Sequence, residues 1–107
     1  MAKKYNPHPG SLLQDYINEI GVSQYRLAIE TGIPRSNLSN LVNGKRSVTP
    51  EIAMRLGKFF GQTPKFWLNL QATHDLFEVQ NSRGREIDKI KNIMRLYEKR
   101  FKNFLTE

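Results

Sequence analysis

The polar side chains between residues 35 and 43 are the ones whose types and spacing could act together on a ligand. The segment combines amides, hydroxyls and one guanidinium, and it contains no acid. Its polar members are Arg35, Ser36, Asn37, Ser39, Asn40 and Asn43. Such groups pair with base edges and phosphates, whereas a helix that only has to be soluble usually mixes Glu and Lys on its free face. The pattern favours a helix that reads nucleic acid.

A tight break separates this segment from a second short helix. Two apolar-periodic stretches, around Leu27 and Leu38, flank Gly32-Ile33-Pro34. Ala28 is small enough to let the two helices cross closely, and the glycine can take the positive φ of a sharp turn. The isoleucine and Leu38 are expected to face inward and fix the crossing angle. This is a helix-turn-helix pattern, in which the second helix would be the recognition helix.

Residues at the ends of these two helices are candidates for phosphate contact. Ser23 is expected to cap the first helix, so Gln24 would stand at its N-terminus, where backbone N–H groups and a side-chain amide can hold a phosphate. Lys45 and Arg46 follow Gly44, the expected end of the second helix. Their charges suit a neighbouring DNA backbone.

Simpler interpretations of the same residues remain open. Arg35 could be a solvated or phosphate-bound guanidinium, and Asn37 and Asn40 could be ordinary surface polar groups. Lys45 and Arg46 could do no more than interact with the helix dipole. The sequence does not choose between these alternatives.

Composition limits the class of partner and the cellular context. The 107 residues are enough for one small domain, and 17 Lys+Arg against 10 Asp+Glu give a net charge of +7, which favours a polyanionic partner. With no Cys, disulfides and thiolate metal sites are excluded. No apolar run approaches the roughly 20 residues of a membrane span, and no signal segment is evident. We expect a soluble, cytoplasmic protein without a cofactor.

The rest of the chain has the pattern of a series of helices closed by glycine. We expect a flexible basic arm over residues 1–8, which is either a disordered terminus or a minor-groove contact. A helical domain over residues 9–80 and the lack of any strand make the fold all-α. Thr49-Pro50 and Thr63-Pro64 are strong helix starts. The last helix of the domain should bury a stripe that includes Trp67, as core or as an exposed dimer anchor. The expected inward residues are Leu12, Leu13, Tyr16, Ile17 and Ile20 in the first helix, Ile52, Ala53, Leu56, Phe59 and Phe60 in the fourth, and Phe66, Trp67, Leu70, His74 and Phe77 in the fifth.

Residues 81–107 are predicted to form a separate basic amphipathic helix. A polar break at residues 81–85 precedes an apolar stripe at spacings of three and four, made of Ile87, Ile90, Met94, Tyr97, Phe101 and Phe104. Such a helix needs a surface to cover its apolar face. Folding back on the domain, dimerisation, contact with a protein partner and membrane-surface binding all remain open.

Catalysis and metal binding lack the residues they need. The chain has no Gly-rich phosphate loop, no H-E-x-x-H and no nucleophile elbow. His74 and Asp75 are adjacent, so on a helix their side chains point about 100° apart and form no dyad. His8 and His74 are isolated in sequence, without a further ligand at metal-binding spacing. We expect neither an enzyme nor a metal site.

Beyond these patterns, the chain resembles the HigA (VapI) antitoxin branch of the Cro/C1-type helix-turn-helix superfamily. The likeness covers about residues 7–80. It is carried by the helix-turn-helix, by His8-Pro9-Gly10, by Ser47-Val48-Thr49-Pro50-Glu51 and by Phe66-Trp67-Leu68-Asn69-Leu70-Gln71.

This resemblance implies a five-helix, lambda repressor-like DNA-binding domain. It further implies a homodimer that binds a palindromic operator in its own promoter and neutralises a HigB-type toxin, an mRNA endonuclease. By the same resemblance, Gln24 and Asn43 would touch phosphates, and Arg35, Ser36, Asn37, Ser39 and Asn40 would read bases. A stand-alone regulator without a toxin, and an interaction module that acts through its C-terminal tail, are the alternatives.

Overall fold

The computed structural model describes residues 7–97, which form five α-helices and one short 3₁₀ helix. The helices are α1 (Pro9–Ile20), α2 (Gln24–Thr31), α3 (Arg35–Val42), α4 (Pro50–Phe60) and α5 (Pro64–Asp88), and the 3₁₀ helix is Ile93–Tyr97. Residues 7–97 contain no strand, so the all-α, five-helix prediction is confirmed. The first six residues of the predicted arm lie outside the described residues.

Helix starts follow the capping chemistry of the sequence. The hydroxyls of Ser23, Thr49 and Thr63 accept hydrogen bonds from backbone N–H groups at the starts of α2, α4 and α5, and prolines open α4 and α5. Pro34 occupies the N-cap position of α3 and offers no side-chain hydrogen bond. His8, predicted to lie in the arm, instead caps α1, because its Nδ1 accepts from the Gly10 N–H at 3.0 Å.

The core lies among the first four helices and the first half of α5. Its fully buried side chains are Leu13, Leu27, Leu38, Leu41, Leu56 and Trp67. Trp67 is therefore core and not an exposed anchor. Its Nε1 donates to Gln62 Oε1 at 2.7 Å, and Gln62 Nε2 donates to the Tyr16 hydroxyl at 2.8 Å, so the polar atom of the buried indole is satisfied.

Three apolar residues predicted to face the core are exposed. Ile20 is 59% exposed, and Phe59 and Phe66 are each 37% exposed. Ile20 and Phe59 line a common surface hollow near the ends of α1 and α4, where no described element covers them. Helical spacing identified which face of each helix is turned toward the core, but it could not show which residues on that face the other helices leave uncovered.

The predicted break at residues 81–85 was wrong. α5 continues through it to Asp88, so the predicted domain boundary at residue 80 falls inside a helix. Gly84 does not end the helix because a single glycine costs a helix only about 1 kcal/mol. The chain leaves the α-helix at Lys89 instead, and Ile93–Tyr97 follows as a separate element. Phe101 and Phe104 of the predicted stripe lie outside the described residues. None of the described helices is long and apolar enough to cross a membrane.

Candidate nucleic-acid interface

The turn between α2 and α3 is fixed by buried contacts at its inner side. Ile33 is 3% exposed, and Gly32 takes the predicted positive φ of 77°. The Thr31 hydroxyl donates to the Leu27 carbonyl at 2.7 Å and accepts from the Ile33 N–H at 3.2 Å. Arg55 of α4 donates to the Thr31 carbonyl at 2.9 Å. Hydrogen bonds within the turn and from α4 therefore fix the angle between α2 and α3.

This fixed turn presents the polar face of α3 to solvent. Leu38 and Leu41 are buried against the core, and Ser36, Asn40 and Asn43 lie on the opposite side, spaced by four and three residues. All three are exposed. In the described part of the chain, no hydrogen bond or ion pair occupies their side chains. Amide and hydroxyl groups along α3 are thus available to a ligand.

The remaining predicted residues of α3 flank this outer face. Arg35 is exposed in the first turn, and Asn37 and Ser39 are half-buried on opposite flanks. Asn37 also lines a small hollow of about 110 Å³ together with Arg46. The structure therefore brings a predicted base-reading residue and a predicted phosphate-contacting residue to one place.

Gln24 is the first residue of α2, directly after the cap Ser23, and it is half-buried. Its backbone N–H belongs to the N-terminal turn of the helix, where N–H groups have no helical partner and can bind an anion. This is the position that the sequence predicted for it.

The loop that follows α3 carries the predicted cations. The Gly44 N–H donates to the Leu41 carbonyl at 3.0 Å, and the Lys45 N–H donates to the Asn40 carbonyl at 2.8 Å, which turns the chain sharply at the helix end. Lys45 and Arg46 follow immediately, with exposed side chains. Their charges therefore lie next to the C-terminal end of the polar face.

These cations are not neutralised by nearby acids. The ion pairs within residues 7–97 join Arg26 to Glu30, Arg55 to Glu51 and Arg83 to Glu86. Arg35, Lys45 and Arg46 take part in none of them. Positive potential is thus retained at the face that α3 and its following loop form.

Two residues that support this loop were not identified from the sequence. Gln71 of α5, 6% exposed, accepts from the Val48 N–H at 2.8 Å and donates to Asp75 at 2.9 Å. The His8 ring lies beside Gly44, directly before the loop cations. A buried glutamine in the apolar stripe of a helix was the available signal for Gln71, but its partner is 23 residues away in sequence.

The prediction that His8 and His74 are isolated was wrong. Their rings meet edge to face, with centroids 5.1 Å apart. Burial lowers the pKa of His8, and the nearby His74 lowers it further, while Asp75 and the Arg46 backbone act in the opposite direction. The described residues contain no group of three or more His, Cys, Asp or Glu side chains that could hold a metal ion.

Comparison with known proteins places these features in a family. A helix-turn-helix family model matches residues 13–68. The HTH-type transcriptional regulator YddM of Escherichia coli K12 is 36% identical over 82 residues, which are 77% of this chain and 87% of that protein.

Two solved structures are similar in fold as well as in sequence. An addiction module antidote protein of a HigA family from Coxiella burnetii superposes with a TM-score of 0.77 at 37% identity, covering 83% of this chain and 98% of that one. Pseudomonas aeruginosa antitoxin HigA with the higBA promoter gives a TM-score of 0.78 at 26% identity, with coverage of 83% and 99%. The family consists of DNA-binding regulators and antitoxins and not of enzymes. The chain therefore belongs to the Cro/C1-type helix-turn-helix superfamily, in its HigA (VapI) branch.

Proposed function

We propose that this protein is a sequence-specific DNA-binding antitoxin that represses its own operon in the cytoplasm. The observation that carries the proposal is the exposed face of α3, which offers amides, hydroxyls and a guanidinium with no acid among them. The uncompensated cations after α3 supply the electrostatic attraction that DNA binding requires. The similar HigA structure, solved with the higBA promoter, supports DNA as the partner.

Within this proposal, the residues divide into two groups. Arg35 takes a guanine edge, Asn37 or Asn40 pairs with adenine, and the hydroxyls of Ser36 and Ser39 add contacts that suit several bases. Phosphates are held by a second group, which consists of Gln24, Asn43, Lys45 and Arg46. The first group would set sequence preference and the second would set register and affinity.

The second half of α5 supports a dimeric assembly. From Leu76 onward this helix exposes Leu76, Val79 and Ile87 along one side, with fractions of 71%, 42% and 44%. An apolar stripe that residues 7–97 leave exposed on a long helix is suited to pairing with a second copy. A two-fold dimer would place two copies of α3 in successive major grooves, with half-site centres about 34 Å apart or a multiple of that distance.

A matched pair of lysine variants tests the dimer. Val79→Lys places a charge on the stripe and should convert the dimer to monomer in sedimentation equilibrium. Asn81→Lys adds the same charge to the exposed side that points away from the stripe, about 140° around the helix from Leu76, and should leave the dimer intact. Equal effects of the two variants would exclude this stripe as the interface.

The toxin partner is part of the proposal because a close relative is described as an addiction module antidote. The partner would be a HigB-type mRNA endonuclease encoded beside this gene. Co-expression of the neighbouring open reading frame should be toxic alone and harmless with this protein. If no complex forms and no toxicity appears, the stand-alone regulator is favoured, as the resemblance to YddM also allows.

Protection of the DNA upstream of the gene tests the repressor role. We expect two protected half-sites with centres one helical turn, or a multiple of it, apart. Scrambled DNA of equal length and composition should show no discrete protection. Uniform protection of both fragments would mean that the net charge alone attracts DNA.

A further inference from the structure

Gln71 of α5 makes a polar contact with a residue 23 positions away in sequence, in the loop between α3 and α4. Its side chain is almost fully buried on α5, yet both ends of the amide are used. Oε1 accepts from the Val48 N–H at 2.8 Å, and Nε2 donates to Asp75 Oδ1 at 2.9 Å. Val48 is itself 5% exposed. Gln71 thus satisfies a buried backbone N–H in the loop between α3 and α4.

That loop is held at two separate points. At its start, the Lys45 N–H donates to the Asn40 carbonyl at 2.8 Å. At its end, Val48 is held by Gln71. The exposed side chains of Lys45 and Arg46 project between these points, so their position relative to α3 depends on the contacts on either side.

We propose that Gln71 is a positioning residue for DNA binding, which fixes the loop so that Lys45 and Arg46 meet the phosphates while α3 is in the groove. The inference rests on the proposed DNA-binding function. Without the Gln71 acceptor, the Val48 N–H would be buried without a partner, and the loop would have to move toward water. The loop cations would then lose their fixed distance from α3.

Gln71→Met tests this role because it keeps the length and burial of the side chain but removes both hydrogen bonds. Gln62→Met is the matched control. Gln62 also uses both ends of its amide, to Trp67 and to the Tyr16 hydroxyl, and neither of these partners lies in the loop. Both variants should lower thermal stability. Only Gln71→Met should change how the cations contact DNA.

The readout is the salt dependence of binding to the upstream DNA. The slope of log K against log salt reports the number of phosphates neutralised, at about 0.9 for each one. We expect Gln71→Met to reduce the slope by about one unit for each phosphate that the loop cations no longer neutralise. Gln62→Met should retain the wild-type slope. A purely structural role would leave the slopes of the two folded variants equal.

A double-mutant cycle with Lys45→Ala measures the coupling directly. Lys45→Ala should weaken binding several-fold in the wild-type and Gln62→Met backgrounds, and clearly less in the Gln71→Met background. A full Lys45→Ala effect in every background would overturn the proposal. If Gln71→Met does not fold, Asp75→Ala removes the acceptor that orients the Gln71 amide at an exposed site. A wild-type slope in that variant would also overturn it.

Failure of the proposed function itself would be recognisable. Wild-type protein would then bind upstream and scrambled DNA equally. If wild-type protein discriminates and the Gln71 variants behave like the Gln62 variant, DNA recognition stands and only the positioning role is wrong.

Discussion

α2 and α3 have the same length and each packs a leucine into the core, yet their outer faces differ in composition. Each is an eight-residue helix that buries a leucine completely, Leu27 in α2 and Leu38 in α3. The outer face of α2 exposes Tyr25 and Ile29, at 60% and 61%, and pairs Arg26 with Glu30 at 2.9 Å. The outer face of α3 carries only Ser, Asn and Arg.

The difference shows that the packing of the core determines the inner faces of these helices but not the composition of their outer faces. Burial of one leucine stripe accounts for both helices, so the core does not dictate either outer face. α2 also has a side-chain cap and an i,i+4 ion pair, whereas α3 has Pro34 at its N-cap position and no cap hydrogen bond. Because the α3 residues add little to helix stability, their composition is best explained by a ligand outside the chain.

The largest expected effect comes from placing an acid on the outer face of α3. Asn40→Asp keeps the shape of the side chain but sets a carboxylate toward phosphates, and like charges at an interface cost several kcal/mol. We expect upstream DNA affinity to fall on the order of 100-fold, measured by fluorescence anisotropy.

Asn18→Asp in α1 is the matched control for this change. Asn18 Oδ1 accepts from Gln14 Nε2 at 2.9 Å, and a carboxylate can accept the same hydrogen bond. It lowers the net charge equally, so its effect should be small. Equal losses for the two variants would mean that net charge, and not the α3 face, controls binding.

Arg35→Ala should have the next largest effect. Loss of a bidentate contact to guanine should cost about 1–3 kcal/mol on the upstream DNA and relax the preference at one base pair. Binding measured against a library of single-base variants will show which position is relaxed. An equal loss on specific and random DNA would reassign Arg35 to phosphate contact.

A cap variant in α2 should change stability without changing recognition. The Ser23 hydroxyl accepts from the Arg26 N–H at 3.0 Å, and losing an N-cap costs about 1 kcal/mol. Urea denaturation of Ser23→Ala should show this decrease, while the ratio of specific to random DNA affinity stays constant. A changed ratio would indicate that the α2 cap also contacts DNA.

The smallest expected effect is a pH dependence of stability centred on His8. Since its pKa in the folded protein lies below the ordinary value of 6.5, the unfolded chain binds a proton first as pH falls. The free energy of unfolding should therefore be highest above pH 6.5 and should decline below it. Protonation would also remove the Nδ1 acceptor that caps α1.

His8→Asn separates this effect from other titrations, because asparagine can cap a helix and does not titrate. Urea denaturation between pH 8 and 5.5 should show a smaller decline for the variant than for wild-type protein. Identical pH profiles would exclude His8 as the responsible group.

The parts of this fold that could be predicted from sequence are those with local signals. Caps at Ser23, Thr49 and Thr63, and the glycine at the α2–α3 turn, act within a few residues, so they located the starts of α2, α4 and α5 and the end of α2. The composition of α3 likewise indicated which face is free, because helical periodicity is a short-range property.

The features that could not be predicted from sequence depend on contacts between residues far apart in the chain, or on how far a helix extends beyond the core. The hydrogen bond between Gln71 and Val48 spans 23 residues, and the contact between His8 and His74 joins the first and last helices of the domain. Periodicity cannot reveal such pairs. The polar run at residues 81–85 suggested a break, but α5 continues because polar residues are compatible with an exposed helix and its single glycine lowers helix stability only slightly.

Base reading by α3 is best tested by equilibrium binding to upstream DNA and to a scrambled fragment of equal length, titrated across salt. We expect tight, saturable binding to the upstream fragment, at least a thousandfold stronger than to the scrambled one, as is typical of specific DNA-binding proteins. Both affinities should fall steeply with salt. Equal, weak binding to the two fragments at every salt concentration would contradict the assignment of α3 as a base-reading helix.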